Sequence, residues 1–227
     1  MDTKAALAEL IGTFTLVFIG ATTGALAATS GGGIVAVALA HGLALMVIVY
    51  AWGSISGAHV NPAVTFGVAL AGKMPWPKAV SYWIAQFVGA AAAAYLLAWL
   101  LGSTENLGAT VGSLTPQGAN PGDAIKVIVL EGVLTFFLVA AVFASGIHGL
   151  NGNIAGVAIG LVLAMDILAG GALTGASMNP ARTFGPALAM NDLSYLWMYI
   201  VGPLAGGGIA GLLYENVFAS NNHQSKK

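Results

Sequence analysis

The sequence predicts an all-α transmembrane fold: six spanning helices and two re-entrant half-helices, arranged as an inverted repeat. Three observations predict it. Hydrophobic residues make up 58% of the chain and charged ones 7%, with a mean hydropathy of +0.87, whereas soluble domains carry roughly 25% charged residues. Seven Lys and Arg with eight Asp and Glu cannot cover a soluble surface of this size, so apolar faces must meet lipid. Second, Ser56-Gly-Ala-His-Val-Asn-Pro-Ala-Val-Thr-Phe-Gly67 recurs as Thr174-Gly-Ala-Ser-Met-Asn-Pro-Ala-Arg-Thr-Phe-Gly185. Setting Asn61 against Asn179 also matches Gly57, Ala58, Pro62, Ala63, Thr65, Phe66 and Gly67 with their counterparts, so the chain reads as two halves. Third, each copy leads into an apolar run of about ten residues, half of what a helix needs to cross the hydrocarbon core.

The elements follow in order. A first span runs from about Ala5 to Ala28 with Glu9 near its start, and the Gly-rich Thr29–Gly33 stretch ends it. The second runs from Ile34 to about Trp52, ahead of the first motif and the half-span Pro62–Ala71. Gly72-Lys-Met-Pro-Trp-Pro-Lys78 is an interfacial turn, its Trp and two Lys suited to the headgroup level. The third span is Val80–Leu101, where Gly89-Ala-Ala-Ala-Ala-Ala94 offers close helix contact. A long polar connection, 102–122, joins the halves and is the main candidate for a long extramembrane connection. The fourth span, Asp123 to about Ala144, carries Glu131; the fifth is Ile154 to about Ala169. After the second motif come the half-span Pro180–Met190, a turn at Asn191–Ser194, the sixth span Leu196–Tyr214 and a polar tail. A single transmembrane domain over residues 1–227 is expected, with repeats of about 4–101 and 123–215.

Glu9-Leu-Ile-Gly-Thr-Phe-Thr-Leu-Val-Phe18 resembles Glu131-Gly-Val-Leu-Thr-Phe-Phe-Leu-Val-Ala140, so the halves match in order. Three full spans per half is an odd number, and the second half therefore enters from the opposite side. With the N-terminus inside, Lys4, Lys73, Lys78, Lys226 and Lys227 fall inside against Lys126 outside, which predicts cytoplasmic termini. A signal peptide is a weaker reading of the N-terminus, because the hydrophobicity continues along the whole chain. A net charge of −1 without a basic patch excludes a nucleic-acid binder. The absence of Cys removes disulfides and thiolate chemistry. No His pair has metal-ligand spacing and no nucleophile–base string appears, so neither an enzyme nor a metal site or cofactor is expected.

Two half-helices starting from opposite faces can meet only at mid-membrane. Pro62 and Pro180 suit the first helical position, where no amide bond is lost, and Asn61 and Asn179 then stand at the helix starts with Ala63 and Ala181 just inside. Irregular backbone and a polar amide at that depth are tolerated only where they line a cavity or are buried in protein. Both dipoles direct positive ends to the centre, repelling cations, while the two amides donate to a passing neutral molecule. A water held by two donors uses its oxygen for both, and its hydrogens point away along the pore, which disfavours proton relay. The alternative is that the Asn pair only caps broken helices. Arg182, the only Arg, lies three residues past Asn179; an intramembrane charge is functional by default, and here it is expected beside the pore, outward of the Asn pair, with a structural salt bridge as the alternative. Glu9 and Glu131 are expected to accept bonds from their neighbouring re-entrant backbones, with proton relay as the other reading. Asp166 is read as structural, and His148 and His223 as surface residues.

The chain resembles the aquaporin (major intrinsic protein) family over residues 4–215, through Ala8-Glu-Leu-Ile-Gly-Thr-Phe14, Ser56–Thr65 and Gly175–Pro186. The resemblance implies a right-handed bundle of six helices and two half-helices, one pore per subunit, and a homotetramer in the lipid bilayer conducting water while excluding protons and ions. The family's outer constriction falls on His41, Ile167, Ala176 and Arg182, and His59 is placed in the inner vestibule. His41 and Ile167 resemble the plant tonoplast intrinsic proteins, where orthodox water channels have an aromatic and a His. Ile at that second position widens the filter and makes it more apolar, so ammonia and urea become candidates beside water. His41, a packed helix residue on the alternative reading, ordinarily titrates near about 6.5. Thr183, Ala187 and Tyr199 favour the water-channel branch over a glycerol facilitator, although Ile200 stands where a Trp is usual. An ion-coupled transporter and a structural membrane protein are the competing classes, and the plasma membrane is the expected location.

Overall fold

The computed structural model describes residues 2–115 and 121–219. Eight α-helices occur in it: α1 Thr3–Ser30, α2 Gly33–Ser56, α3 Pro62–Leu70, α4 Trp76–Leu101, α5 Pro121–Val142, α6 Ala155–Thr174, α7 Pro180–Ala189 and α8 Met198–Leu213. Each start has a local cause. Asp2 caps α1, its side chain accepting the Ala5 amide at 3.2 Å. The short helices α3 and α7 both have Asn as the cap and Pro in the first turn. Where the sequence predicts Val80 as the start of the third span, α4 begins at Trp76. Pro75 and Pro77 favour a helix start rather than a turn, so the Trp and Lys78 belong to the first helical turn.

The packing is two-fold. α1 packs on α2 and α4, as α5 packs on α6 and α8. Each half-helix crosses to the other half, α3 lying on α8 and α7 on α4, while α2 meets α6 and α3 meets α7. At the α2–α6 crossing Gly42 and Gly160 face one another. A Cβ on Gly42 would sit 2.7 Å from the Gly160 carbonyl oxygen, and one on Gly160 would sit 2.5 Å from the Gly42 carbonyl oxygen. Only glycine allows this approach, the small-residue contact expected between helices in lipid.

Among the described residues, five helices are long and apolar enough to cross a membrane by length and composition. The sixth crossing element, α8, has 16 α-helical residues and runs on into a six-residue π-helical turn, Tyr214–Ala219. The outward faces are apolar, with Val47, Ile84, Trp99, Ile125 and Leu161 more than half exposed, as lipid-facing side chains should be.

Two surface expectations change. The connection between the halves is not simply external: Leu107, Thr110 and Thr115 are buried, and the Ser113 and Leu114 amides donate to the carbonyls of Ala172 and Leu173 at the end of α6. Those carbonyls lack partners within their own helix, and the loop supplies them. His148 is not a free surface residue either. Its Nε2 lies 3.1 Å from Glu215, which also pairs with Lys73, and its ring stacks on Tyr214. His223, Lys226 and Lys227 lie outside the described residues.

Candidate functional site

The loops 57–60 and 175–178 are pulled into shape by two buried carboxylates. Glu9 accepts from Ser56 Oγ at 2.7 Å and from the amides of His59 at 2.9 Å and Val60 at 2.6 Å. Gln86 Nε2 gives it a fourth donor at 2.8 Å. Glu131 accepts from Thr174 Oγ1 at 2.7 Å and from the amides of Ser177 at 3.0 Å and Met178 at 2.7 Å. Charge-assisted bonds of this kind offset the desolvation of a buried carboxylate. Neither carboxylate lines the cavity described below. The loops need this support because four non-glycine residues adopt positive φ: Ala58 at 50° and Val60 at 43°, Ala176 at 44° and Met178 at 53°. Each costs on the order of 1–3 kcal/mol. Tyr82 and Tyr199 brace the two loop entrances alike, their hydroxyls donating to the Ser56 and Thr174 carbonyls, each at 2.6 Å.

The loops then tie to one another. Asn61 Nδ2 donates to the Met178 carbonyl at 2.8 Å, and Asn179 Nδ2 donates to the Val60 carbonyl at 2.9 Å. Asn61 Oδ1 caps α3 by accepting the Ala63 amide at 2.8 Å. Asn179 Oδ1 caps α7 by accepting the amides of Ala181 at 3.0 Å and Arg182 at 3.2 Å. An amide NH2 has two hydrogens, so after capping and cross-tying each Asn retains one N–H. Both side chains line a cavity of about 240 Å³. Pro62, Ala63, Pro180 and Ala181 are buried behind them.

The cavity extends from Ser145–Ile147 and Ala155 at one end to His41 and Arg182 at the other, and Leu16, Leu45, Leu138 and Ile159 make much of its wall apolar. At the second end Arg182 Nε donates to His41 Nε2 at 3.4 Å, and His41 Nδ1 lies 2.8 Å from the Val37 carbonyl. With a carbonyl on one side and an N–H on the other, Nδ1 carries the hydrogen and Nε2 accepts. Arg182 Nη1 is buried without a protein partner. Arg182 has no carboxylate partner among the described ion pairs.

The structure joins His41 to Arg182, while Ile167 lies on α6 and Ala176 in the loop before α7. Both are buried in the apolar cluster with Leu134, and neither lines the cavity. His59 does line it, with Nδ1 3.1 Å from Thr65 Oγ1 and the ring edge-on to Tyr82. Asp166 is buried, and its Oδ2 has no partner.

Among the other contributors, the sequence marks Thr183 only as a water-channel residue and does not mark Gln86. Gln86 bridges Glu9 and Thr65, reaching the latter at 3.0 Å; a lone Gln inside an apolar span was the available signal. Thr183 bonds Ser177 at 2.6 Å and Thr110 of the long connection at 2.7 Å. A π-helical turn, Phe143–Ile147, continues α5 and delivers Ser145 to Ile147 to the cavity wall; no sequence pattern marks it.

Comparison with known proteins adds lineage. The family model described as Major intrinsic protein matches residues 1–214. Aquaporin TIP2-1 of Arabidopsis thaliana is 44% identical, the match covering 96% of this chain and 89% of that one. Aquaporin TIP1-1 of Zea mays is 43% identical, over 97% of this chain and 89% of its own. Among solved structures, the aquaglyceroporin from Plasmodium falciparum superposes with a TM-score of 0.79 at 23% identity, covering 99% of this chain and all of that one, a likeness of fold. The TIP-type relatives overturn the plasma-membrane expectation: tonoplast intrinsic proteins imply the vacuolar membrane instead. Charge counting in short loops sets sidedness only and carries no information about which membrane is occupied.

Proposed function

Because the chain belongs to the major intrinsic protein family, in its tonoplast-intrinsic-protein-like water-channel branch, we propose that Asn61 and Asn179 form the central constriction of its pore and that His41, Ile167, Ala176 and Arg182 form its selectivity filter. The protein is a passive channel for water and related small neutral solutes, not an enzyme. One observation carries the proposed site: each Asn is fixed through Oδ1 and one Nδ2 hydrogen and keeps one N–H at the cavity, at the start of a half-helix.

Mechanism follows from that geometry. A single-file water accepts from both Asn residues with its oxygen, so its two hydrogens face outward along the pore and the hydrogen-bond chain is interrupted. The N-terminal ends of α3 and α7 add partial positive charge at the same place, which disfavours hydronium and metal cations. At the His41–Arg182 end, Nη1 offers a donor held out of bulk water, and the guanidinium charge repels cations. His59 lines the vestibule on the other side of Asn61, and Glu9 and Glu131 hold the loops rather than contact the permeant. An aliphatic Ile167 leaves the filter wider than an imidazole would, which favours ammonia and urea beside water. By family resemblance the chain forms one channel domain over 1–227, with repeats 4–101 and 123–215, and assembles as a homotetramer with a pore in each subunit.

Stopped-flow shrinkage of proteoliposomes, run in parallel with water, ammonia, urea and glycerol, tests the reading. Fast water flux with ammonia or urea flux above that of empty vesicles is expected. The double change His41→Phe with Ile167→His should reduce the solute fluxes relative to water; unchanged solute flux in it would refute the account of the filter.

A further inference from the structure

We infer that Gly20 is a specificity-determining residue: having no side chain, it seats the His41 imidazole against α1 and so sets the opening of the His41–Arg182 end of the cavity. The inference rests on the reading of His41 and Arg182 as a filter. Gly20 is buried in the middle of α1. A Cβ built on it would lie 2.1 Å from His41 Nε2 and 2.5 Å from both Cδ2 and Cε1, and these are its three nearest atoms. The ring tip therefore rests directly on the Gly20 backbone. The imidazole has little freedom to yield, being held at Nδ1 by the Val37 carbonyl at 2.8 Å and contacted at Nε2 by Arg182 Nε at 3.4 Å. A methyl at position 20 must rotate the ring, loosen the Val37 bond and drive the tip from α1 toward Arg182 and the cavity that both side chains line.

Ordinary helix packing does not explain this contact. One turn along the same helix, a Cβ on Gly24 would approach only the Gly108 backbone, at 3.3 Å. Gly20 differs in meeting a single functional side chain. It is a positioning residue, since it touches the ring and not the permeant.

The test uses the full chain in proteoliposomes as wild type, Gly20→Ala, Gly24→Ala, His41→Ala and the double variant Gly20→Ala with His41→Ala. The readout is the ratio of solute to water permeability, with urea and ammonia in parallel. Gly20→Ala is expected to lower the ratio by roughly tenfold, the scale of one methylene in a selective pocket. Gly24→Ala should keep the wild-type ratio, and the double variant should match His41→Ala, because no ring is left to displace. The inference is overturned if Gly20→Ala keeps the wild-type ratio, if Gly24→Ala lowers it equally, or if the drop persists in the double variant. Should Gly20→Ala alone fail to assemble, the double variant decides: assembly with the His41→Ala ratio supports the ring contact, and failure to assemble overturns it. If His41→Ala itself keeps the wild-type ratio, the filter reading falls and the Gly20 inference with it.

Discussion

In the first half, Glu9 holds its loop with four donors, one of them the Gln86 side chain of α4. In the second, Glu131 has three, all from the loop and the end of α6. Aligning the bracing tyrosines, Tyr82 and Tyr199, puts Pro203 of α8 where α4 has Gln86, and proline has no side-chain donor. The second loop compensates with hydroxyls, as Ser177 and Thr183 bond each other and Thr183 reaches Thr110. In the first loop the matching positions are His59 and Thr65, and the imidazole occupies the cavity wall. Val64 opposite Arg182 completes the contrast. What the two copies share is the backbone plan: a buried carboxylate, a positive-φ pair and a capping Asn. What they do not share includes the side chains at the cavity, His59 against Ser177 and Val64 against Arg182. The plan repeats because both half-helices need the same start, while the lining is free to differ at the two ends of one pore.

Deleting the carboxylates strains the shared plan most. Glu9→Ala and Glu131→Ala each leave several buried donors unpaired and should each cost about 3 kcal/mol or more. Thermal unfolding in detergent should show the larger loss for Glu9→Ala, which strands four donors; a wild-type midpoint in either variant would contradict the role given to the carboxylates. Gln86→Leu removes the asymmetric donor alone. A loss of about 2 kcal/mol, typical of a bond to a charged group, is expected with an unchanged solute-to-water ratio, and a changed ratio would move Gln86 from scaffold to filter.

Arg182→Val makes the second copy resemble the first. It removes the donor to His41 and the local charge, and solute flux relative to water should rise by roughly tenfold. Flux assays that find no rise would separate Arg182 from selectivity. The smallest effect is expected in the difference between the two Asn residues. Asn61→Ala and Asn179→Ala each lose a cap and a cross-tie to the opposite loop and should each cost about 2 kcal/mol, with Asn179→Ala slightly the more costly because its Oδ1 accepts two amides rather than one. Equal shifts in unfolding midpoint would show that the second amide adds nothing.

Much of the fold was legible in the chain because its signals are local. Apolar runs of spanning length, a proline behind an asparagine, and a repeated string each constrain the backbone wherever they occur. Boundaries were less legible. Trp76-Pro-Lys78 carries interfacial and turn-forming residues, yet it forms the first turn of α4, since prolines suit both a loop and a helix start. His148 read as a surface residue because its partner Glu215 lies 67 residues away. The long connection read as external because its composition is polar, and only its fold-back on α6 and α7 shows Leu107 and Thr110 buried.

The sequence by itself determined the membrane class, the two-half plan and the position of the paired Asn-Pro-Ala strings, because composition and short-range backbone chemistry suffice for these. Tertiary structure decided which groups meet: that the Asn side chains cross-tie the opposite loops, that His41 of α2 reaches Arg182 of α7, and that its ring rests on a glycine of α1. Those contacts join residues more than twenty positions apart. No local propensity encodes them, and they appear only when close helix packing brings the side chains within bonding distance.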